Sequence, residues 1–286
     1  MRIIDRRNDI LKTNLLSFVA SYTMLSFYFY LIPLLIPMND IFRFMYMLSF
    51  FPVAFLLAKI LFGKGLESYG LIFFNGWYKN LGIGLSIGFI VWSLLFGVRI
   101  ILGEYTVTGT KSITDSIIVL IMICAGFLVG SLISDMIVRG LVFHHFRHRV
   151  SFKMLMLISV FLYALDDIWL EGLTLNNFIF SSVLGISLAY AFYKTNSIWA
   201  NTGLHAGLNI AYGLFYGVTG RVGDGIIQFK IVDFTFFFYP WLSSFFAIVL
   251  FLILYAVRTW FSQPPEIEEA TKAQPKNYVS RKMMPS

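Results

Sequence analysis

Eight apolar runs, each close to the length needed to cross a bilayer, follow one another along most of the chain. A spanning helix needs about 20 mostly apolar residues. The runs fall at 14–36, 42–62, 81–102, 114–146, 153–171, 175–194, 197–218 and 235–257. A bilayer holds no water to satisfy exposed peptide groups, so such runs fold as helices. The expected fold class is all-α, a polytopic transmembrane helical bundle of about eight spans. A water-soluble alternative fails on composition. With 58% hydrophobic residues, 18% aromatic residues and a mean hydropathy of +0.77, it would leave large apolar patches in water. Segment 63–80, GKGLESYGLIFFNGWYKN, is too broken by glycine and charge to span and is expected to lie at the interface. The 114–146 run is about 50 Å long as a helix. It must tilt, break near Gly126 or Gly130, or protrude.

Charge sets the expected orientation. With the N-terminus inside, sixteen of the 22 Lys and Arg fall on the cytoplasmic side, five fall outside, and Arg139 lies within a span. That bias satisfies the positive-inside rule and places both termini in the cytoplasm of a multi-pass cell-membrane protein. The net charge of +7 is spent on loops rather than on a basic patch with interleaved aromatics, so nucleic acid is not an expected partner. The bilayer is. The first run lacks a small-residue cleavage site and reads as a retained helix. The single cysteine, Cys124, sits in an apolar run and excludes a disulfide framework. Four regions result: N-terminal helices over 1–113, core helices over 114–218, an outer loop and last helix over 219–258, and a polar, disordered cytoplasmic tail over 259–286.

Ionisable groups inside spans are costly and mark function by default. In the fourth run, Asp135 precedes Arg139 by four residues, a self-contained ion pair on one helix face. In the fifth, FLYALDDIWL, Asp167 shares a face with Tyr163 and Asp166 points about 100° away. In the seventh, His205 and Asn209 are four apart, with Gly203, Ala206 and Gly207 around them. Each has a plain structural reading: a neutralised pair, two wet aspartates at a helix end, and a small-residue packing seam. Depth argues for a shared site. At about 1.5 Å per residue, Asp135 and Asp167 lie about 18–21 Å from the basic turn Arg147–Lys153, and His205 and Asn209 about 14–20 Å into their span.

Familiar intramembrane chemistries are missing or incomplete. There is no HExxH, Gly185-Ile-Ser187 lacks the second glycine of a serine elbow, and GRVGD at Gly220–Asp224 is near to a GxGD aspartyl motif without being one. His144 and His148 have metal-pair spacing but sit beside Arg147 and Arg149, where repulsion disfavours a metal.

The residues do resemble one family, the CPBP intramembrane proteases, also called the CAAX amino-terminal protease or Abi group. Its pattern is EExxxR, then FxxxH, then HxxxN on successive core helices. Here Ser134-Asp135-Met136-Ile137-Val138-Arg139 aligns with the first, Tyr163–Asp167 with the second, and His205–Asn209 reproduces the third. The resemblance covers roughly 120–215 and implies a catalytic constellation at Asp135, Asp167, His205, Asn209 and Arg139. It also implies a water activated by the first glutamate and the second-motif histidine, directly or through a metal. Those two positions are Ser134 and Asp167 here. Serine is no general base near neutral pH, and aspartate does not shuttle protons as histidine does. Three functions stay open. One is a degenerate member acting as a membrane scaffold or regulator that binds a partner's transmembrane segment or peptide. Another is a re-wired protease in which Asp135, Asp167 and His205 hold a divalent metal such as zinc or share a proton. The third is a small-solute transporter.

Overall fold

Residues 15–147, 149–171, 174–232 and 238–264 are described in the computed structural model, with the side chains of 167–171 excepted. Eight helices follow the expected runs: α1 (Leu15–Leu35), α2 (Asp40–Phe62), α3 (Trp77–Ile101), α4 (Ile113–Phe146), α5 (Phe152–Glu171), α6 (Leu175–Thr195), α7 (Ile198–Tyr216) and α8 (Tyr239–Ala256). Six are long and apolar enough to cross a membrane, which makes this a multi-pass membrane protein. The other two, α5 and α7, are the helices that carry Asp166 and the His205–Asn209 pair. Of the tail expected to be disordered, residues 259–264 are described and ordered, because Asn80 of α3 donates to the Ser262 carbonyl at 2.9 Å and accepts from its N–H at 2.8 Å; residues 265–286, the N-terminal basic residues and His148 lie outside the described residues.

Local chemistry sets the helix ends. Asn39, Ser112 and Thr174 each accept a backbone N–H of the first turn and cap α2, α4 and α6. Between α6 and α7, Asn196 turns the chain in the left-handed region (φ 50°) and Ser197 caps the next helix. The two helices therefore form a tight hairpin.

The core is a glycine seam. Helices α3 and α7 make the most extensive helix pair in the protein. A Cβ at Gly84 or Gly88 of α3 would stand 2.4 and 2.2 Å from the carbonyl oxygens of Ala200 and Leu204. One at Gly203 or Gly207 of α7 would stand 2.3 and 2.2 Å from those of Leu81 and Leu85. Small residues on both sides let the backbones meet. The packing reading of Gly203 and Gly207 is therefore correct, and it coexists with a polar face on the same helix.

The structure differs from the sequence expectations in three places. Segment 63–80 does not simply lie on the bilayer: α3 begins within it, and a 3₁₀ turn, Leu66–Tyr69, folds back into the protein. Tyr69 is fully buried and shares a hydrogen bond with Ser21 at 2.9 Å, while Trp199 Nε1 donates to the Ile72 carbonyl at 2.8 Å. The long helix α4 is continuous through Gly126 and Gly130. It changes its winding instead at a π turn, Met136–Gly140. The all-α expectation also omits a two-stranded antiparallel ribbon, β1 (Tyr105–Thr110) with β2 (Ile227–Ile231), pairing Val107 with Phe229 across a bulge before Gly109. Pairing these two loops puts the α3–α4 and α7–α8 connections at one end of the bundle, as alternation of eight helices requires.

The buried turn meets the π turn at Gly140, where an added Cβ would stand 1.8 Å from the Tyr69 carbonyl oxygen. Gly140→Ala is expected to lose about 1–3 kcal/mol by forcing that turn outward. A lowered thermal midpoint of the purified protein would show it, and an unchanged midpoint would mean the turn yields freely.

Candidate functional site

Helices α4 and α7 run antiparallel through the site, so positions four apart on one meet positions four apart on the other. Asn209 Nδ2 donates to Ser131 Oγ at 3.2 Å. One turn along, Asp135 Oδ1 accepts from Arg139 Nη1 at 2.9 Å and lies 3.4 Å from His205 Nδ1, longer than a well-formed hydrogen bond. Its other oxygen accepts from Thr202 Oγ1 at 3.0 Å. Asp135 and Arg139 are both fully buried. The guanidinium stacks over the Tyr163 ring at 4.0 Å from its centre, a cation–π contact that partly replaces lost hydration. The same ring meets His205 edge-on at 5.9 Å. Asp135, Arg139, His205 and Asn209 thus come together as expected, with Tyr163 from α5.

Asp167 lies on α5, but its side chain is outside the described residues. Its neighbour Asp166 is buried and faces the site: Tyr22 donates its hydroxyl to Asp166 Oδ1 at 2.8 Å. A step of three from Tyr163 lies on the same broad helix face as a step of four, so Asp166 also reaches the site. Ser134, at the first-glutamate position, accepts from the Tyr30 hydroxyl at 3.0 Å. Both tyrosines come from α1, where a π turn at Phe27–Leu31 winds the helix less tightly and swings Tyr30 back toward the face of Tyr22. Nothing in the spacing of α1's aromatics signalled this. Thr202 and Ser131 were missed as well, since a hydroxyl in an apolar helix usually bonds its own backbone.

These groups form the floor of a cavity of about 1010 Å³. Ser131, Ser134, Asp166, His205 and Asn209 line its deep end, and Trp92, Phe96, Phe180 and Tyr212 its walls. Arg99, Tyr105, Tyr239 and Ser243 line it near the ribbon. Chemically, the floor offers His205 and Asn209 for stabilising charge or hydrogen-bonding a carbonyl. Where a water would be activated, it offers a serine and an aspartate held by tyrosines.

The core is also similar in sequence to one known family. Residues 115–211, from the first turn of α4 into α7, match the family described as type II CAAX prenyl endopeptidase Rce1-like. Over these residues the core is similar to that family. No curated protein and no solved structure matches the chain. The Rce1-like segment holds every expected site residue, while α1, with its two tyrosines, lies outside the match. Among the described residues no three His, Cys, Asp or Glu stand together as ligands, and both oxygens of Asp135 are engaged by Arg139 and Thr202.

Proposed function

We propose that this protein is a non-proteolytic Rce1-like membrane protein that binds a short stretch of a membrane protein or peptide in its cavity, with both termini cytoplasmic. The observation that carries this reading is the pair of tyrosine hydrogen bonds from α1, Tyr30 to Ser134 and Tyr22 to Asp166. They engage Ser134, at the first-glutamate position, and Asp166, next to the second-motif position, while His205 and Asn209 remain turned to the cavity.

Binding is testable through Trp92 on the cavity wall. Short apolar peptides added to the protein in nanodiscs should quench its emission saturably, with Trp92→Phe as the blank. Leu208→Trp, which fills the cavity, should weaken the response about tenfold or more, the factor expected when buried apolar contact is lost. Quenching that never saturates, or that ignores Leu208→Trp, contradicts the reading. The rival hydrolase would use Asp166 as its base, since a carboxylate is chemically competent there.

A further inference from the structure

The chain does not stop with α8. After a 3₁₀ turn, Arg258–Trp260, it crosses the end of the bundle opposite the ribbon. Its anchor is Asn80 of α3, fully buried one turn before Gly84 of the glycine seam. The Asn80 side chain donates to the Ser262 carbonyl at 2.9 Å and accepts from the Ser262 N–H at 2.8 Å. One amide thus satisfies both peptide groups of one residue, the exchange that a neighbouring strand makes in an antiparallel pair. Gly76 makes room for it: an added Cβ there would stand 2.7 Å from Ser262 Oγ and 2.8 Å from its Cβ. One residue on, Gln263 Nε2 donates to the Lys194 carbonyl at 2.7 Å. That carbonyl lies in the last turn of α6, where a helix leaves its acceptors without internal partners. Phe261 and Pro264 flank these two residues, the first packed against the core and the second buried.

We infer that residues 261–264 are a strap, which fixes the start of α3 to the end of α6 and couples the C-terminal tail to both helices. Helices α3 and α6 each pack on α7 and α8, and both supply wall to the cavity. Nearer the ribbon they meet directly, with the rings of Trp92 and Phe180 centred 5.8 Å apart. At the opposite end one backbone segment does the joining, bonded to Asn80 on one side and to the Lys194 carbonyl on the other. An asparagine inside an apolar helix is costly unless its amide is hydrogen-bonded. Asn80 takes both of its bonds from the strap, so release of the strap strands a buried amide and the closed position is favoured. Residues 265–286 follow directly from Pro264, which joins the tail to two cavity-wall helices through four residues. The strap does not depend on what the cavity binds.

Hydrogen–deuterium exchange of the full chain in nanodiscs tests this, because exchange reads rare local opening. Asn80→Ala should speed exchange about tenfold at Ser262 and also over residues 192–196, the end of α6, which Asn80 does not bond. Gln263→Ala should speed exchange about fivefold, the factor carried by one net hydrogen bond, over residues 77–81 of α3, which Gln263 does not bond. Peptides from the ribbon strand 105–110 should exchange at the wild-type rate in both variants. Acceleration confined to the substituted side overturns the proposal, since Asn80 and Gln263 would then be two separate contacts. Unchanged exchange at both helix ends overturns it as well. Acceleration that extends to the ribbon would indicate general loosening and would also count against a strap. If Asn80→Ala fails to fold, Gln263→Ala decides the outcome.

Discussion

Replacing Arg139 by leucine is expected to remove most of the folded protein. The change strands the Asp135 carboxylate, fully buried, with only Thr202 and His205 to face it. Removing one partner of a buried pair typically costs about 3–5 kcal/mol, because the remaining charge is left without compensation. Asp135→Leu alone should be comparably harmful, since Arg139 Nε and Nη2 already lack partners and Nη1 would join them. The double variant, Asp135→Leu with Arg139→Leu, should recover much of the loss. Thermal midpoints and folded yield after detergent extraction measure all three. Additive losses in the double variant would mean that the two residues act separately, against the geometry found here.

The second large effect is expected at the α3–α7 seam. Gly88→Val and Gly207→Val each drive a branched side chain into a backbone carbonyl 2.2 Å from the new Cβ. Backbone does not yield as a flexible side chain would, so the cost should reach or exceed the upper end of the about 1–3 kcal/mol usual for overpacking. Helix α3 supplies its own control. Gly82 and Gly97 have nothing within 4 Å of an added Cβ, and alanine there should be neutral or mildly stabilising through helix propensity. The comparison is read by unfolding midpoints of the four variants. Equal tolerance at Gly82 and Gly88 would show that the helices can part without penalty.

Much of this architecture was legible in the residues, for definite reasons. Helix number and order follow from apolar run length, because a bilayer leaves the backbone no alternative. The meeting of Asp135, Arg139, His205 and Asn209 followed from spacings of four and a shared depth. What escaped depends on packing that periodicity does not encode. The ribbon of Tyr105–Thr110 with Ile227–Ile231 joins loops more than a hundred residues apart. The winding change in α4 falls at Met136–Gly140, where Gly140 admits the Tyr69 backbone, and not at Gly126 or Gly130. Tyr22 and Tyr30 looked like ordinary aromatics of a membrane helix until the π turn aligned them with the site. Asp166, which the spacing set about 100° away, lies against the cavity and Tyr22, while the side chain of Asp167 is outside the described residues.

The α1 tyrosines also define what would contradict the functional reading. Purified wild-type protein should be incubated in nanodiscs with apolar peptides and with farnesylated CAAX peptides. Tyr22→Phe, Tyr30→Phe, Asp166→Asn and His205→Ala variants should be run beside it, and the products read by mass spectrometry. Every peptide should be recovered intact from every variant, including the two that release the tyrosine hydrogen bonds. Cleavage by the wild type that disappears in Asp166→Asn or His205→Ala, or cleavage that emerges when Tyr22 or Tyr30 is replaced, would show a working protease and contradict it.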